Sequence, residues 1–212
     1  MLTKYGLPQV IVYPAIIAAA MVVIAAAFGR VIWLIPAEIV LFVVFIWLLS
    51  FFRNPPRRIE ADDSVLYSPC DGTVTEIDRS GGSIRVSMFL SLFNVHINRA
   101  PCGGVVENVT YKRGEYRDAR DPDSARLNES NELRLACPSG DIVAVRQVSG
   151  AVARHIVCKA GKGDVLRQGE PFGMIKFGSR TEIIISNSPD CEICVEIGSK
   201  VKAGITVLAR YN

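Results

Sequence analysis

The stretch GMIKFGSRTEIII, residues 173–185, decides how this chain is read. Short apolar runs lie on both sides of Phe177-Gly178-Ser179. Neither run is long enough for a stable helix, and the glycine breaks any helical period, so both read as β-strands joined by a tight turn. Working outward, alternating runs of the same kind recur at Gly72–Ile77, Ser83–Leu90, Val105–Tyr111, Glu132–Ala136, Ile142–Val148, Val152–Cys158, Phe172–Phe177, Thr181–Ser186, Cys191–Ile197 and Thr206–Ala209. Gly, Pro, Asn, Asp and Ser cluster between them. No long amphipathic helix stands out. The segment Arg117–Asn131 (RDARDPDSARLNESN) is polar, contains a proline, and reads as a long surface loop of the kind that often carries function.

Two segments echo one another. GDVLRQG (163–169) and GSKVKAG (198–204) share the order glycine, polar, apolar, basic, glycine, and a strand follows each. Glycine at both ends suits a tight turn between strands, because it takes positive φ without strain. Such turns are typical of lipoyl- and biotinyl-carrier-like barrels. A carrier would need a lysine at a hairpin tip, usually beside methionine, and no such hairpin is present. The expected fold is therefore mainly β, a barrel- or sandwich-like domain with lipoyl-carrier-like turns and no carrier function.

Before this domain the chain changes character. Val10–Phe28 is apolar without a charge, and Val31–Phe52 is broken only by Pro36 and Glu38. Each run is near the ~20 residues a helix needs to cross a bilayer. Pro36 and Glu38 fall near the start of the second run, where a proline removes no needed hydrogen bond. A signal peptide fits poorly, since Lys4 alone is a weak basic region and a second apolar run follows at once. The expectation is a transmembrane helical hairpin over 1–52, a basic Pro-rich linker over 53–58 (RNPPRR), and the β-rich domain over 59–212. Arg53, Arg57 and Arg58 follow the second run, whereas the connecting turn carries only Arg30. The positive-inside tendency then places the large domain on the cytoplasmic side of the cell (inner) membrane, among membrane lipids.

Composition excludes other partners. A net charge of +3 without a basic-aromatic surface pattern gives no reason to expect nucleic acid. The six cysteines lie mostly in apolar strand contexts and read as small buried hydrophobes. Cys191-Glu-Ile-Cys194 has no second pair or nearby histidines, so no metal is expected. The two histidines, His96 and His155, cannot supply a zinc-peptidase ligand set. No hydrolase elbow, Walker loop or dinucleotide glycine pattern is present.

Three clusters remain: Ser68-Pro69-Cys70-Asp71-Gly72, Asn94-Val95-His96-Ile97-Asn98-Arg99-Ala100-Pro101, and Phe177-Gly178-Ser179. Each has an ordinary reading. Ser-Pro-x-Asp-Gly is a good β-turn, a single histidine is commonly a structural hydrogen-bonder, and Gly-Ser in a turn is frequent. In this order, behind two apolar runs and with the NESNE segment Asn128–Glu132, the clusters resemble the phosphatidylserine decarboxylases, above all their short, archaeal-type branch. The resemblance spans roughly residues 53–212.

That resemblance implies a proenzyme that cuts itself between Gly178 and Ser179, leaving a β chain 1–178 and an α chain 179–212 held as a heterodimer. Ser179 attacks the Gly178 carbonyl to give an ester. β-Elimination then leaves a dehydroalanine, which hydrolyses to a pyruvoyl group, the covalent cofactor. The substrate amine forms a Schiff base with this ketone, which takes up the electron pair left when carbon dioxide departs. Phosphatidylserine would thus become phosphatidylethanolamine. The resemblance further implies His96 as proton donor and Asp71 as an orienting or charge-balancing acid. Longer bacterial members carry a second histidine where this chain has Arg99, and arginine is a poor base. Arg99 is instead a candidate substrate-binding group, and His155 a candidate replacement base. Alternatives are a membrane-anchored barrel-type adaptor without catalysis, and a pyruvoyl decarboxylase of another amine-bearing carboxylate. A higher oligomer is compatible with either.

Overall fold

A computed structural model describes residues 2, 3, 5, 7–28, 34–80, 82–138, 140–151, 155–176, 178–186 and 191–211. The chain divides into two units, Met1–Pro56 and Arg57–Asn212. The first holds two helices, α1 (Leu7–Phe28) and α2 (Ile35–Phe51). α1 is apolar on every side, and Ile11, Ile16, Val22 and Val23 are exposed. An all-apolar helix suits a lipid environment or a large protein core. Among the described residues, α1 is the one helix long and apolar enough to cross a membrane, and α2 is shorter. In α2, Pro36 and Glu38 fall in the first turn, where neither breaks a hydrogen bond. Arg53 caps the other end by donating to the carbonyl of Ser50 at 2.8 Å.

The second unit is mainly β. One three-stranded sheet joins β1 (Val65–Tyr67), β14 (Val207–Tyr211) and β12 (Cys191–Ile193). Another joins β4 (Ile97–Arg99), β10 (Pro171–Ile175) and β8 (Ile156–Cys158). The large sheet runs β13 (Lys200–Val201), β2 (Gly72–Asp78), β3 (Ser83–Leu90), β11 (Ser179–Ser186), β7 (Ile142–Val148), β6 (Ser130–Ala136), β5 (Gly104–Lys112) and β9 (Val165–Leu166). All the pairings are antiparallel. β11 is central, in register with β3 along its whole length and with β7 from Arg180 onward. Alternation puts Ser179, Thr181, Ile183 and Ile185 on one face. There Ile183 and Ile185 join the core with Val86, Met88, Leu90, Leu133, Leu135, Val143 and Val145. Arg180 and Glu182 point to the other face.

The glycine echo is structural. Gly163 and Gly198 have φ of 90° and 92°, and Gly169 and Gly204 have 74° and 68°. Each turn grips an equivalent strand: Val106 N donates to Asp164 O and Gly163 N to Val106 O, just as Val74 N donates to Ser199 O and Gly198 N to Val74 O. The strands so gripped begin as SPCDGTV (68–74) and APCGGVV (100–106). Gly204 N donates to Ser68 O and Gly169 N to Ala100 O, completing the correspondence. The unit thus contains two copies of one device, with Ile59 packed where a side chain at either Gly169 or Gly204 would stand.

Several boundaries differ from expectation. β1, β4, β9 and β13 were not expected from the sequence; each has two or three residues and exists only because a distant strand pairs with it. β11 starts at Ser179, because that residue already pairs with Leu90. Residues 152–154 and Phe177, within expected strands, lie outside the described residues. The expected loop 117–131 contains a short helix, α3 (Ser124–Leu127), and its last residues open β6. Asn128 staples it: its side chain accepts from Arg117 N and donates to Arg117 O and Ser149 O, each at 2.9 Å.

Candidate active site around the Gly178-Ser179 bond

The bond between Gly178 and Ser179 lies where the chain leaves β10 in one sheet and enters β11 in another. Gly178 makes this crossing with φ of 68°, in the left-handed region that glycine enters without a Cβ clash. Its amide donates to Nε2 of His96 at 3.3 Å. The other ring nitrogen of His96, Nδ1, lies 3.0 Å from the carbonyl of Asn94. A carbonyl only accepts, so Nδ1 carries the hydrogen and the Nε2 lone pair faces the bond. The whole residue is buried. The β4–β10 contact that places it continues past β4, with Ile175 N donating to His96 O.

Ser179 is fully buried, and its Oγ has no hydrogen-bond partner among the described residues. Leaving a buried hydroxyl unsatisfied costs about 1–3 kcal/mol, and native folds rarely tolerate it without a reason. The preceding carbonyl is equally confined. A Cβ on Gly150 would overlap the Gly178 carbonyl oxygen and stand 3.3 Å from the Ala119 Cβ. Glycine at 150 is thus the only residue that lets this carbonyl pack where it does.

A chain of buried amides fixes the start of β11 on the same face. Asn131 Nδ2 donates to Gln147 Oε1 (3.1 Å), Gln147 Nε2 to Asn98 Oδ1 (2.9 Å), and Asn98 Nδ2 to Thr181 Oγ1 (3.1 Å). On the opposite face Arg180 is anchored by Glu182 at 2.9 Å, by Ser87 at 2.8 Å and by Glu76. Arg146 approaches the far oxygen of Glu182, and Arg85 bridges Glu76 and Asp78. The residues flanking Ser179 are therefore held from both faces of the sheet.

Beside Gly178 opens a cleft of about 190 Å³ lined by Phe89, Leu92, Asp118, Ala119, Arg120, Ala151 and Gly178. Among the described residues, Arg120 is the one cation in this lining. It pairs with Asp118 at 2.6 Å and lies over the Phe89 ring, 5.9 Å from its centre. Arg120 and neighbouring backbone hold the Asp118 carboxyl at about 2. Lys176, two residues before the bond, is buried, and desolvation lowers its ammonium pKa.

The residues expected from sequence are not all brought together. His96 meets Gly178 directly. Asp71 accepts from Arg57 at 2.8 Å and from the Ala203 amide at 2.8 Å, and among the described residues it makes no hydrogen bond to His96 or Ser179. It precedes Thr73, which leads through Phe89 to Arg180 across three strands, so it sits about 10 Å from the bond by strand spacing. Arg99 is buried with its guanidinium on the Gly169 carbonyl at 3.0 Å, beside the same Ala203-Gly204 turn. His155 is exposed, and its carbonyl accepts from Lys176 N. Gly150, Asn98, Gln147 and Arg120 were not singled out from sequence. Only Asn98 had a signal, an amide in a run of polar residues beside an apolar strand.

The sequence profile of the phosphatidylserine decarboxylase family matches residues 44–209. A phosphatidylserine decarboxylase proenzyme of Rhodopirellula baltica is 45% identical over 169 residues, covering 76% of this chain and 70% of that protein. One of Trichlorobacter lovleyi is 39% identical over 183 residues, covering 84% and 82%. A Methanosarcina acetivorans protein provisionally named archaetidylserine decarboxylase proenzyme is 42% identical over 164 residues, covering 77% and 74%.

Proposed function

The chain belongs to the phosphatidylserine decarboxylase family, and on that premise we propose that it is a self-processing, pyruvoyl-dependent decarboxylase converting phosphatidylserine to phosphatidylethanolamine. The observation that carries this reading is the state of the Gly178-Ser179 bond. A glycine in the left-handed region precedes a buried serine hydroxyl without a hydrogen-bond partner, and the Nε2 of His96 faces the junction. These are the parts that a backbone acyl shift from nitrogen to oxygen needs: a bent carbonyl held in place, an unengaged nucleophile and a nearby proton acceptor.

The proposed roles follow. Ser179 Oγ attacks the Gly178 carbon, His96 Nε2 takes the hydroxyl proton and passes it to the departing peptide nitrogen, which becomes the free amine of an ester. Removal of the Ser179 α-proton expels the Gly178 carboxylate. Water then releases ammonia and leaves the ketone at position 179. His96 thereby supplies the base that Arg99 cannot. Asn98 and Arg180 hold the flanking backbone still through Thr181, Glu76 and Glu182. The site suits the finished group, since position 179 is buried and follows Gly178, which lines the cleft and whose carbonyl packs against Gly150. Once formed, the pyruvoyl ketone supplies an electrophile for the substrate amine and a sink for the electrons left by carbon dioxide. Within the cleft Arg120 meets the headgroup phosphate or carboxylate, and His96 returns a proton to the product carbon.

Asp71 gains support from the internal duplication. Its counterpart in the twin turn is Gly103, and that turn makes the same backbone bonds without an acid. The turn alone does not require the aspartate. We assign Asp71 to holding Arg57 and the Ala203-Gly204 turn at the end of the sheet where Ser179 begins. The apolar N-terminal helices anchor the chain in the cell membrane with the β unit on the cytoplasmic side, close to substrate that stays in the bilayer.

Electrophoresis and mass analysis of the purified chain test this reading. Two fragments are expected, the smaller beginning at 179 with a blocked, ketone-bearing end. Ser179→Ala and His96→Ala should each leave the chain whole and inactive. A Ser179→Ala variant that is still cut at the same bond would sink the mechanism.

A further inference from the structure

The turn between β3 and β4 has a construction that the chemistry at Gly178 does not explain. The Asn94 side chain accepts from Ser91 N at 2.8 Å and from Ser91 Oγ at 2.7 Å, while Asn94 N donates back to Ser91 O at 3.0 Å. Three hydrogen bonds lock a four-residue turn, which leaves Leu92 and Phe93 at its tip. Phe93 is 76% exposed, more than any other large hydrophobic side chain among the described residues, those of α1 and α2 included. A self-locked turn cannot fold such a ring inward to escape water.

The tip is also joined to the reaction centre. The Asn94 carbonyl receives Nδ1 of His96, so one residue fixes both the turn and the ring. Leu92 lines the cleft, and its Cδ2 lies 3.8 Å from where a side chain on Gly178 would begin. The same cleft is lined by Arg120, ion-paired to Asp118 and with its side chain 70% exposed. An apolar tip, a cation and the mouth of the cleft thus share one face. Apolar side chains beside an exposed cation suit the headgroup–acyl boundary of an anionic bilayer, where the ring enters the apolar layer and the cation meets phosphate.

We propose that Leu92 and Phe93 form a lipid-docking tip that dips into the surface of a phospholipid bilayer and brings the cleft beside Gly178 to the level of the headgroups. The proposal rests on the reading of the substrate as a membrane lipid. A headgroup then reaches position 179 without its acyl chains leaving the bilayer.

The test uses the full chain reconstituted in vesicles containing phosphatidylserine. Phe93→Ser should still cut itself completely, because Phe93 is not one of the groups assigned to that reaction. Its turnover of bilayer phosphatidylserine should fall about tenfold or more, the factor that partial burial of one phenylalanine ring commands. Its turnover of a monomeric short-chain phosphatidylserine should stay at the wild-type value. Equal losses on both substrates, or no loss on either, would overturn the proposal.

A second readout does not depend on turnover. With Trp33 and Trp47 replaced by Phe, Phe93→Trp should emit at shorter wavelength in vesicles and be quenched by brominated lipids. Quenching by aqueous iodide alone would refute docking. Should Phe93→Ser instead dissociate an oligomer with bilayer turnover unchanged, the tip would be a contact with a second copy. A chain that quenches as expected but decarboxylates neither lipid would retain the docking tip and lose the substrate assignment.

Discussion

Replacing Gly150 with alanine isolates the confinement of the Gly178 carbonyl from all other features of the site. The new methyl would overlap that carbonyl oxygen, which is backbone and cannot swing aside as a side chain tip would, and it would meet the Ala119 Cβ at 3.3 Å. Relief requires moving the 178–179 peptide by something on the order of 1 Å, and a displacement of that size at a reacting centre costs about 100-fold in rate. That is about 2.7 kcal/mol in the barrier. Overpacking lowers stability by a similar ~1–3 kcal/mol, which leaves a folded chain. The assay follows the uncut chain by denaturing electrophoresis after synthesis in a cell-free system, beside a thermal melt of the same protein. Gly103→Ala is the control, because its Cβ would meet only ordinary contacts at 3.8 Å. Gly150→Ala should accumulate as a folded precursor and Gly103→Ala should process normally. Processing of folded Gly150→Ala at the wild-type rate would refute the argument that this carbonyl must stay in place.

Three further outcomes are expected. Asn98→Ala strands Thr181 Oγ1 and leaves Gln147 Nε2 with only the Val157 carbonyl at 3.5 Å; it should cost about 1–3 kcal/mol for each orphaned group in urea melts on the Ser179→Ala precursor, and slow the cut in the native sequence. Arg120→Met should raise the KM for phosphatidylserine in vesicles with little change in kcat, and a kcat loss at unchanged KM would remove Arg120 from substrate binding. Burial lowers the Lys176 pKa below its ordinary 10.5, so between the two values the unfolded chain binds more protons than the folded one. Stability of the Ser179→Ala precursor should therefore rise as pH climbs toward 10.5, and Lys176→Met should flatten that part of the melting-temperature profile.

Much of the fold was legible in the sequence because long strands carry their own period. Ser83–Leu90 and Ile142–Val148 have the expected limits, the first because polar and apolar residues alternate along it, the second because it is a short apolar run bounded by turn residues. The two-residue strands β9 and β13 were readable only through the glycines around them, as turns; their partners are Gly104-Val105 and Gly72-Thr73, far along the chain. The duplication of SPCDGTV in APCGGVV was visible as letters but gained meaning only when both copies gripped matching turns. At the site, Ser179 and His96 were legible because their neighbours form motifs. Gly150 and Gln147 were not: one matters for the carbonyl it avoids and the other for a chain of amides spanning three strands. Arg120 sits in a segment whose charge alone reads as a solvated loop, and only its place over Phe89 separates it from Arg117 and Arg126.

The proposed cut, at the first residue of a central strand, would have a consequence for the life of the molecule. The precursor is one chain, so its ends find each other as an intramolecular event. After the proposed cut, residues 179–212 still contribute β11 between β3 and β7, β13 against β2, and β14 against β1. Both pieces are woven into the same sheets, and neither has a core of its own. Once heated apart, the halves must meet again by diffusion, against entropy that the intact chain never had to overcome. The proposed maturation would therefore leave a kinetically trapped molecule, whose working lifetime is set by its rate of unfolding rather than by an equilibrium.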